Sequence, residues 1–184
     1  MFMGEFVAPP SWPETFTPSL VASVNNQANA DGAKVPPCAL AAIVMRESGG
    51  QNILQEGVPP GPGCGVGLTQ ITYGVDWSDQ TNPTYVYNGT RYEIMQPSPN
   101  LYVAAAAFLA PAIAEALDLQ QKYGAVMASW STQALFYAYC IYNQGYVTTL
   151  DDIQSGVNPD STTTDDYGSE TCNLYQQAVA ASGG

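Results

Sequence analysis

One carboxylate on an apolar helix face is the group in this sequence best suited to chemistry. Leu40, Ile43, Val44 and Glu47 recur at helical spacing, so Glu47 leaves its helix on the face that turns toward the core. Burial against apolar groups raises the pKa of a carboxyl group toward neutrality, which allows it to carry and donate a proton at moderate pH. The pattern therefore predicts a carboxyl group that is suited to general acid chemistry, while an ion pair with Arg46 or a cap on the following loop is the other interpretation of a single glutamate at this position.

The absence of histidine narrows the remaining chemistry. The 184 residues contain no His, which makes Ser–His and Cys–His nucleophile pairs and the usual zinc sites poor interpretations. Carboxylates are then the groups left for proton transfer. We expect no metal site and no cofactor.

The charge of the chain excludes one class of partner. The formal net charge is −12, with only four Lys and Arg residues, so there is no cationic surface to displace the counterions of nucleic acid phosphates.

The longest apolar run, residues 101–117, is interrupted by Pro111 and Glu115 and indicates a buried core helix rather than a transmembrane one. Residues 1–13 lack the basic and apolar regions of a signal peptide.

The cysteines leave two alternatives open. Cys38, Cys64, Cys140 and Cys172 match no metal motif, and their even number permits two disulfides with three pairings. The other interpretation is four reduced thiols that fill small core positions.

The elements that must position these groups are mostly helical. We predict one α+β, mostly α domain over residues 19–184, preceded by an N-terminal arm over 1–18. Asn88–Gly89 between two alternating segments, 85–87 and 91–94, predicts a small β-hairpin. Residues 49–67, rich in Gly and Pro, and the polar stretch 156–168 are predicted loops. Helices are expected at 19–30 with Ser19 as N-cap, 36–46, 100–123 with a kink at Pro111, 132–142 and 169–181.

Three segments resemble, in order, the motifs of soluble lytic transglycosylases and goose-type lysozymes. They are E-S-G-G-Q-N at 47–52, G-L-T-Q-I at 67–71 and I-Y-N-Q-G at 141–145. A fourth, E-T-C-N-L-Y at 170–175, resembles the E-T-x-x-Y element of transglycosylases, and the helix from Asn100 is similar to the family helix between the second and third motifs. Each motif is short, but together they extend from residue 47 to residue 175.

The resemblance implies a lysozyme-like fold with a small β-hairpin element and gives roles to individual residues. Glu47 is the catalytic acid. Ser48 and Gln70 hold the glutamate and the sugar by hydrogen bonds, and Gln51 belongs to the same substrate-binding set. Asn143 binds the N-acetyl sugar and Tyr142 lines the groove. Tyr175 orients Glu47, although the spacing from Cys172 to Tyr175 departs from the family pattern.

The implied reaction is cleavage of the MurNAc–GlcNAc β-1,4 bond of the peptidoglycan glycan strand. An inverting hydrolase needs a second carboxylate roughly 6.5–9.5 Å from the first, but Thr72 stands where goose-type lysozymes place an aspartate. Asp76, as candidate second acid, and Asp79 could serve if their loop folds back. With one acid, the substrate's acetamido group attacks instead, as in a lytic transglycosylase, and we favour this outcome.

Other functions stay open at this point. A goose-type-like hydrolase, a chitin-cleaving enzyme and a non-catalytic wall-binding or virion structural protein are the alternatives. A protein that acts on peptidoglycan works outside the cytoplasm, so we expect an extracellular, periplasmic or virion-associated location, with attachment to a phage particle or another assembly as one route to the wall.

Overall fold

The computed structural model describes residues 7–14 and 16–183, with seven α-helices and one two-stranded antiparallel sheet in this part of the chain. The expected mostly helical α+β class is confirmed. The helices are α1 Pro18–Ala30, α2 Pro37–Ser48, α3 Pro97–Val103, α4 Ala110–Met127, α5 Ala134–Gln144, α6 Tyr146–Ser155 and α7 Tyr167–Ala181, and the strands are β1 Thr84–Tyr87 and β2 Thr90–Glu93.

Prolines open the first two helices. Pro18 and Pro37 occupy the first turns of α1 and α2, where the missing N–H is not needed for a helical hydrogen bond. The prediction of Ser19 as N-cap is therefore wrong, because the N-cap position falls on Thr17. Helix α2 ends at Gly49, whose φ of +58° is a left-handed conformation that glycine adopts without strain.

The hairpin confirms the prediction from Asn88–Gly89. These two residues have φ values of +49° and +77°, as a two-residue turn between twisted strands requires. The strands pair in the register Thr84↔Glu93 to Tyr87↔Thr90, so each strand begins one residue earlier than predicted.

The long central helix changes its hydrogen-bond pattern before Pro111. Residues Ala104–Leu109 form a π-helical segment between α3 and α4. In a π-helix the carbonyl of Ala106 would accept from residue 111, but proline has no N–H to donate. The hydroxyl of Tyr87 donates to this carbonyl instead, at 3.2 Å. The helix therefore has a π segment before Pro111, and its kink lies at Tyr123, with a φ of −123° and a ψ of 17°, rather than at Pro111 as predicted.

By its length and composition alone, the same helix could cross a membrane. It runs over Pro97–Met127, and 44% of its most apolar window is buried inside the protein. Its residues Leu101, Val103, Leu109 and Leu119 are fully buried. A central core helix has the same composition.

Helix α2 lies at the centre of the core. All residues from Ala39 to Ile43 are fully buried, and the helix packs against α1, α7 and the π segment. Trp12 and Phe16, from the predicted arm, are buried in the same cluster. The arm's residues 1–6 lie outside the described part of the chain.

The region between α5 and α7 is more ordered than predicted. No element was predicted for residues 146–155, which form α6, and a 3₁₀ turn, Pro159–Thr162, lies within the predicted loop 156–168. Helix α7 begins at Tyr167, two residues before the predicted start at Ser169. This earlier start matters because Tyr167 enters the candidate site.

All four cysteines are free thiols in the structure. The structure therefore agrees with the second interpretation of the sequence, in which all four thiols are reduced. Burial raises the pKa of Cys140 and raises that of Cys172 to about 12, so both side chains are held as neutral thiols.

Candidate functional site

Glu47 lies in the last turn of α2, where the helix leaves the core. Leu40, Ile43 and Val44 of the same face are buried, whereas Glu47 is half-buried. Its carboxyl group lines a cleft of about 590 Å³. The helix therefore carries the carboxylate from the core to the floor of an open cavity.

The surroundings of Glu47 favour its protonated form. Burial raises the pKa of Glu47 to about 7, against the opposing effects of a hydrogen bond from Tyr167 and the nearby charge of Arg46. The buried Tyr167 hydroxyl donates to Oε1 of Glu47. Glu47 can therefore both hold and release a proton near neutral pH.

Arg46, the neighbour of Glu47 in sequence, holds the segment that leads into Tyr167. Its guanidinium carbon lies 5.2 Å from the centre of the Tyr167 ring, and Nη2 donates to the carbonyls of Thr164 and Asp165 at 3.1 and 3.2 Å. Asp165 and Asp166 have φ values near +50°, which are unusual for residues other than glycine. The Arg46 contacts offset part of the cost of this strained turn.

Asp160 fixes the start of α7 from the other side. This carboxylate is 5% exposed and accepts hydrogen bonds from the backbone N–H groups of Gly168 at 2.6 Å and Ser169 at 3.2 Å. Free N–H groups at a helix start favour a negative charge. Asp160 thereby positions Tyr167, one residue before Gly168, against Glu47.

One wall of the cleft is formed by the end of the segment 66–71, which contributes Gln70 and Ile71 to the lining. Gly67 has a φ of +75°, and a Cβ added there would lie 2.4 Å from the amide nitrogen of Asn100. Buried Asn100 donates to the Val66 carbonyl at 2.8 Å and accepts from the Thr69 backbone and hydroxyl at 3.0 and 2.8 Å. Only glycine permits this close approach, which explains the Gly at the start of the G-L-T-Q-I motif.

Two further hydrogen bonds attach this wall to the helices. The Ser48 hydroxyl donates to the Leu68 carbonyl at 2.7 Å, and the Tyr142 hydroxyl donates to the Thr69 carbonyl at 3.0 Å. Gln70, with a φ of +48°, donates to the Gly67 carbonyl at 2.7 Å. The wall is thus tied to α2 and α5 through main-chain acceptors.

The cleft offers neutral hydrogen-bonding groups around one titratable carboxyl group. Of the described residues, Glu47 is the only Asp or Glu that lines it. The remaining lining consists of amide, hydroxyl, aromatic and aliphatic groups, contributed by Gln55, Gln70, Ile71, Thr72, Tyr73, Phe108, Ile141, Tyr142, Asn143, Gln144 and Gly145. Such a surface can bind a neutral polar ligand and supply one proton.

Four of the site residues predicted from the sequence meet at this cleft: Glu47, Gln70, Tyr142 and Asn143. Asn143 also accepts from the Thr164 backbone N–H at 3.3 Å. Ser48 does not line the cleft, but its hydrogen bond to Leu68 positions the wall.

Three predicted residues, Gln51, Tyr175 and Asp76, lie outside the cleft lining. Gln51 is exposed and lines a separate groove beside Phe16. Burial, and then the nearby Cys38 and Cys172, raise the pKa of Tyr175, and the hydroxyl that reaches Glu47 belongs to Tyr167. We expected Tyr175 to orient Glu47, but in the structure Tyr167 makes this contact. Helix α7 begins at Tyr167, two residues earlier than predicted, and the Tyr167 side chain reaches α2.

Asp76, the candidate second acid, is bound to other groups. It forms an ion pair with Arg91 at 2.8 Å and accepts from the Ser78 backbone N–H at 2.9 Å. These hydrogen bonds lower its pKa. Asp76 pairs with Thr84 in an isolated bridge beside the hairpin and is absent from the described lining of the cleft.

Sequence reasoning missed Tyr167, Asp160 and the cleft aromatics Tyr73 and Phe108. Tyr167 fell at the end of a stretch of Thr and Asp that predicted a loop, and its only signal was its place just ahead of a helix start. Between residues 7 and 183, Thr15 excepted, no three His, Cys, Asp or Glu side chains are grouped so that they could hold a metal ion.

Comparisons of the chain with protein-family models, with curated proteins and with solved structures found no match.

Proposed function

We propose that this protein cleaves the β-1,4 glycan strand of peptidoglycan, with Glu47 as the catalytic acid. The observation that carries the proposal is a carboxyl group with a pKa of about 7 that opens into a cleft lined by neutral hydrogen-bonding side chains. A lysozyme-like fold is part of the proposal. It is supported by the convergence of Glu47, Gln70 and the Tyr142–Asn143 pair, which come from three separate motifs.

The contacts of Glu47 suit proton donation to a leaving group. Tyr167 donates to Oε1, so Oε2 is left to carry the proton. Transfer of this proton to the glycosidic oxygen breaks the bond to the anomeric carbon, and general acid catalysis of this kind contributes about 10²–10⁴-fold in rate. Asp160 acts on this step through the position of Tyr167, whereas Arg46 acts both through Tyr167 and through its charge, which lowers the pKa of Glu47.

The second step is proposed to follow the lytic transglycosylase route. An inverting hydrolase needs a carboxylate to activate water, and within the described lining Glu47 is the only candidate. In the one-acid route the muramic acetamido oxygen attacks the anomeric carbon. Deprotonated Glu47 then accepts the proton of the sugar O6 hydroxyl, and O6 bonds to the anomeric carbon and displaces the acetamido oxygen to give a 1,6-anhydro ring.

The hydrolase remains the second candidate function, because Asp76 follows Thr72 and Tyr73 of the cleft lining by only a few residues in the chain. The two candidates differ in their products. A hydrolase leaves reducing ends, whereas a transglycosylase leaves anhydro-muramic ends.

Mass spectrometry of muropeptides released from purified sacculi tests both candidates. Release of anhydro-muropeptides supports the proposal, and reducing ends alone would favour the hydrolase. Intact sacculi after incubation would favour a non-catalytic wall-binding or virion structural protein. The Glu47→Gln variant is the matched control, because the amide keeps the shape of the side chain but cannot donate the proton.

The remaining expectations about partners and location belong to the same proposal. A peptidoglycan substrate requires work outside the cytoplasm, whether in the periplasm, in the medium or on a virus particle. The charge of −12 argues against nucleic acid as a partner.

A further inference from the structure

A second depression adjoins the cleft. It has a volume of about 360 Å³ and is lined by Pro62, Gly63, Thr72, Tyr73, Gly74, Val75 and Trp77. Thr72 and Tyr73 also line the cleft that contains Glu47. The two cavities are therefore neighbours, with Tyr73 between them.

Tyr73 stands in solvent on a fixed piece of backbone. Its side chain is 82% exposed, the largest exposed fraction among the large hydrophobic residues that the structure describes. The following Gly74 has a φ of +75° and packs so closely on the Tyr85 ring that an added Cβ would lie 2.9 Å from it. Ile71, two residues before Tyr73, is buried and bridges to Val66. The segment is anchored on both sides while the aromatic ring itself has little protein contact.

The chemistry of the depression suits an uncharged sugar. None of its lining side chains is charged, although the protein carries a net charge of −12. The indole Nε1 of Trp77 is shielded from water and has no acceptor within the described part of the chain. An unpaired buried donor is unfavourable, and the indole ring that carries it lines the depression.

We propose that Tyr73 and this depression form an additional saccharide subsite, in which a sugar ring of a strand that continues from the cleft stacks on the Tyr73 ring. This inference rests on the proposed glycan substrate. A strand long enough to pass over Tyr73 gains contacts that a short fragment bound in the cleft does not make. The subsite makes the protein selective for long glycan strands.

The size of the effect follows from the area of one ring face. A stacked sugar covers about a third of the 150–250 Å² that an aromatic side chain can bury. At the usual free energy per unit of apolar area, this corresponds to about a tenfold change in affinity. Tyr73→Ala should remove this gain, and Tyr73→Phe should keep most of it.

Binding in a catalytically silent background tests the subsite. Glu47→Gln protein is titrated by calorimetry with a GlcNAc–MurNAc disaccharide and with the corresponding octasaccharide. Adding Tyr73→Ala should weaken octasaccharide binding about tenfold more than it weakens disaccharide binding. Leu117→Ala, which truncates another exposed side chain at a distance from both cavities, is the control and should change neither.

Each other outcome has a defined meaning. Octasaccharide binding that is unaffected by Tyr73→Ala would overturn the subsite and leave the proposed function intact. An equal loss for both lengths would assign Tyr73 to the cleft itself and would also overturn the separate subsite. If the Glu47→Gln background binds neither saccharide, the glycan substrate is wrong and the subsite fails with it.

Discussion

The hydroxyl of Tyr167 is the contact whose removal tests the site most directly. Tyr167→Phe keeps the buried ring and its position beside Arg46 but deletes the hydrogen bond to Oε1 of Glu47. This bond favours the ionised form of Glu47 and lowers its pKa against the larger opposite effect of burial. Its removal should therefore raise the pKa of Glu47 above about 7.

The magnitude follows from the strength of a hydrogen bond to a charged group. Such bonds contribute about 1.5–3 kcal/mol, and 1.36 kcal/mol corresponds to one pKa unit. We expect the pKa of Glu47 to rise by about one to two units. Because the carboxyl group must be protonated to act as an acid, the alkaline limb of the pH–activity profile should move upward with it. Loss of orientation should also lower the maximal rate, by about tenfold or more.

Two measurements check this expectation, and helix α7 offers a matched control. The pKa of Glu47 is measured by ¹³C NMR titration of its side-chain carboxyl carbon, and the pH profile by lysis of purified sacculi. Tyr175→Phe removes a hydroxyl from the same helix away from Glu47 and should leave both unchanged. An unmoved pKa in Tyr167→Phe, or a raised pKa in Tyr175→Phe, would refute the assignment of the orienting tyrosine.

The remaining predictions concern the acid, the second carboxylate and the charge. Glu47→Gln should lower lysis by about 10²–10⁴-fold; residual activity within tenfold of wild type would contradict the role of Glu47. The same variant should be more stable than wild type above pH 7, by up to about 3 kcal/mol. This is because the carboxyl group of the unfolded chain ionises near pH 4.5, whereas the native group keeps its proton up to about pH 7, so the stability of the wild type falls between these pH values. Urea unfolding at pH 4 and pH 8 measures the difference, and equal stabilities at pH 8 would argue against burial. Asp76→Asn should leave the rate nearly unchanged, whereas a loss of about thirtyfold or more, roughly 2 kcal/mol of barrier, would indicate a hydrolase. Lysis of sacculi should rise between 10 and 200 mM salt. The protein, with its net charge of −12, is repelled by an anionic wall, and salt screens this repulsion because the Debye length falls from about 30 Å at 0.01 M to about 10 Å at 0.1 M. A steep monotonic fall in lysis would indicate a local cationic patch.

Local sequence signals predicted the elements that carry the site. The spacing of Leu40, Ile43, Val44 and Glu47 predicted that the carboxylate leaves α2 on its buried face, and the structure has it there. Asn88–Gly89 predicted the hairpin turn, since few other residues accept positive φ at two consecutive positions. These features depend on residues that are close in the chain, so periodicity and turn chemistry suffice.

The ends of helices and the irregular segments were harder to predict from the sequence. The π segment arises because Pro111 removes a donor and Tyr87, from a distant hairpin, satisfies the carbonyl of Ala106. The early start of α7 depends on Asp160, a carboxylate that lies outside the helix and binds its first N–H groups. Neither cause is visible in the helix sequence itself.

The sequence by itself determined which chemistry can be proposed: in a chain without histidine, the glutamate on the apolar face of α2 is the natural candidate for proton transfer. Only the tertiary structure decided which groups surround that glutamate. Tyr167 and Tyr175 lie on the same helix, and the choice between them depends on how α7 packs on α2, across 120 residues of chain. The same holds for Asp76, which pairs with Arg91 rather than joining the cleft. Helix faces follow from local backbone geometry, but the distance between two faces is set by the packing of the whole core.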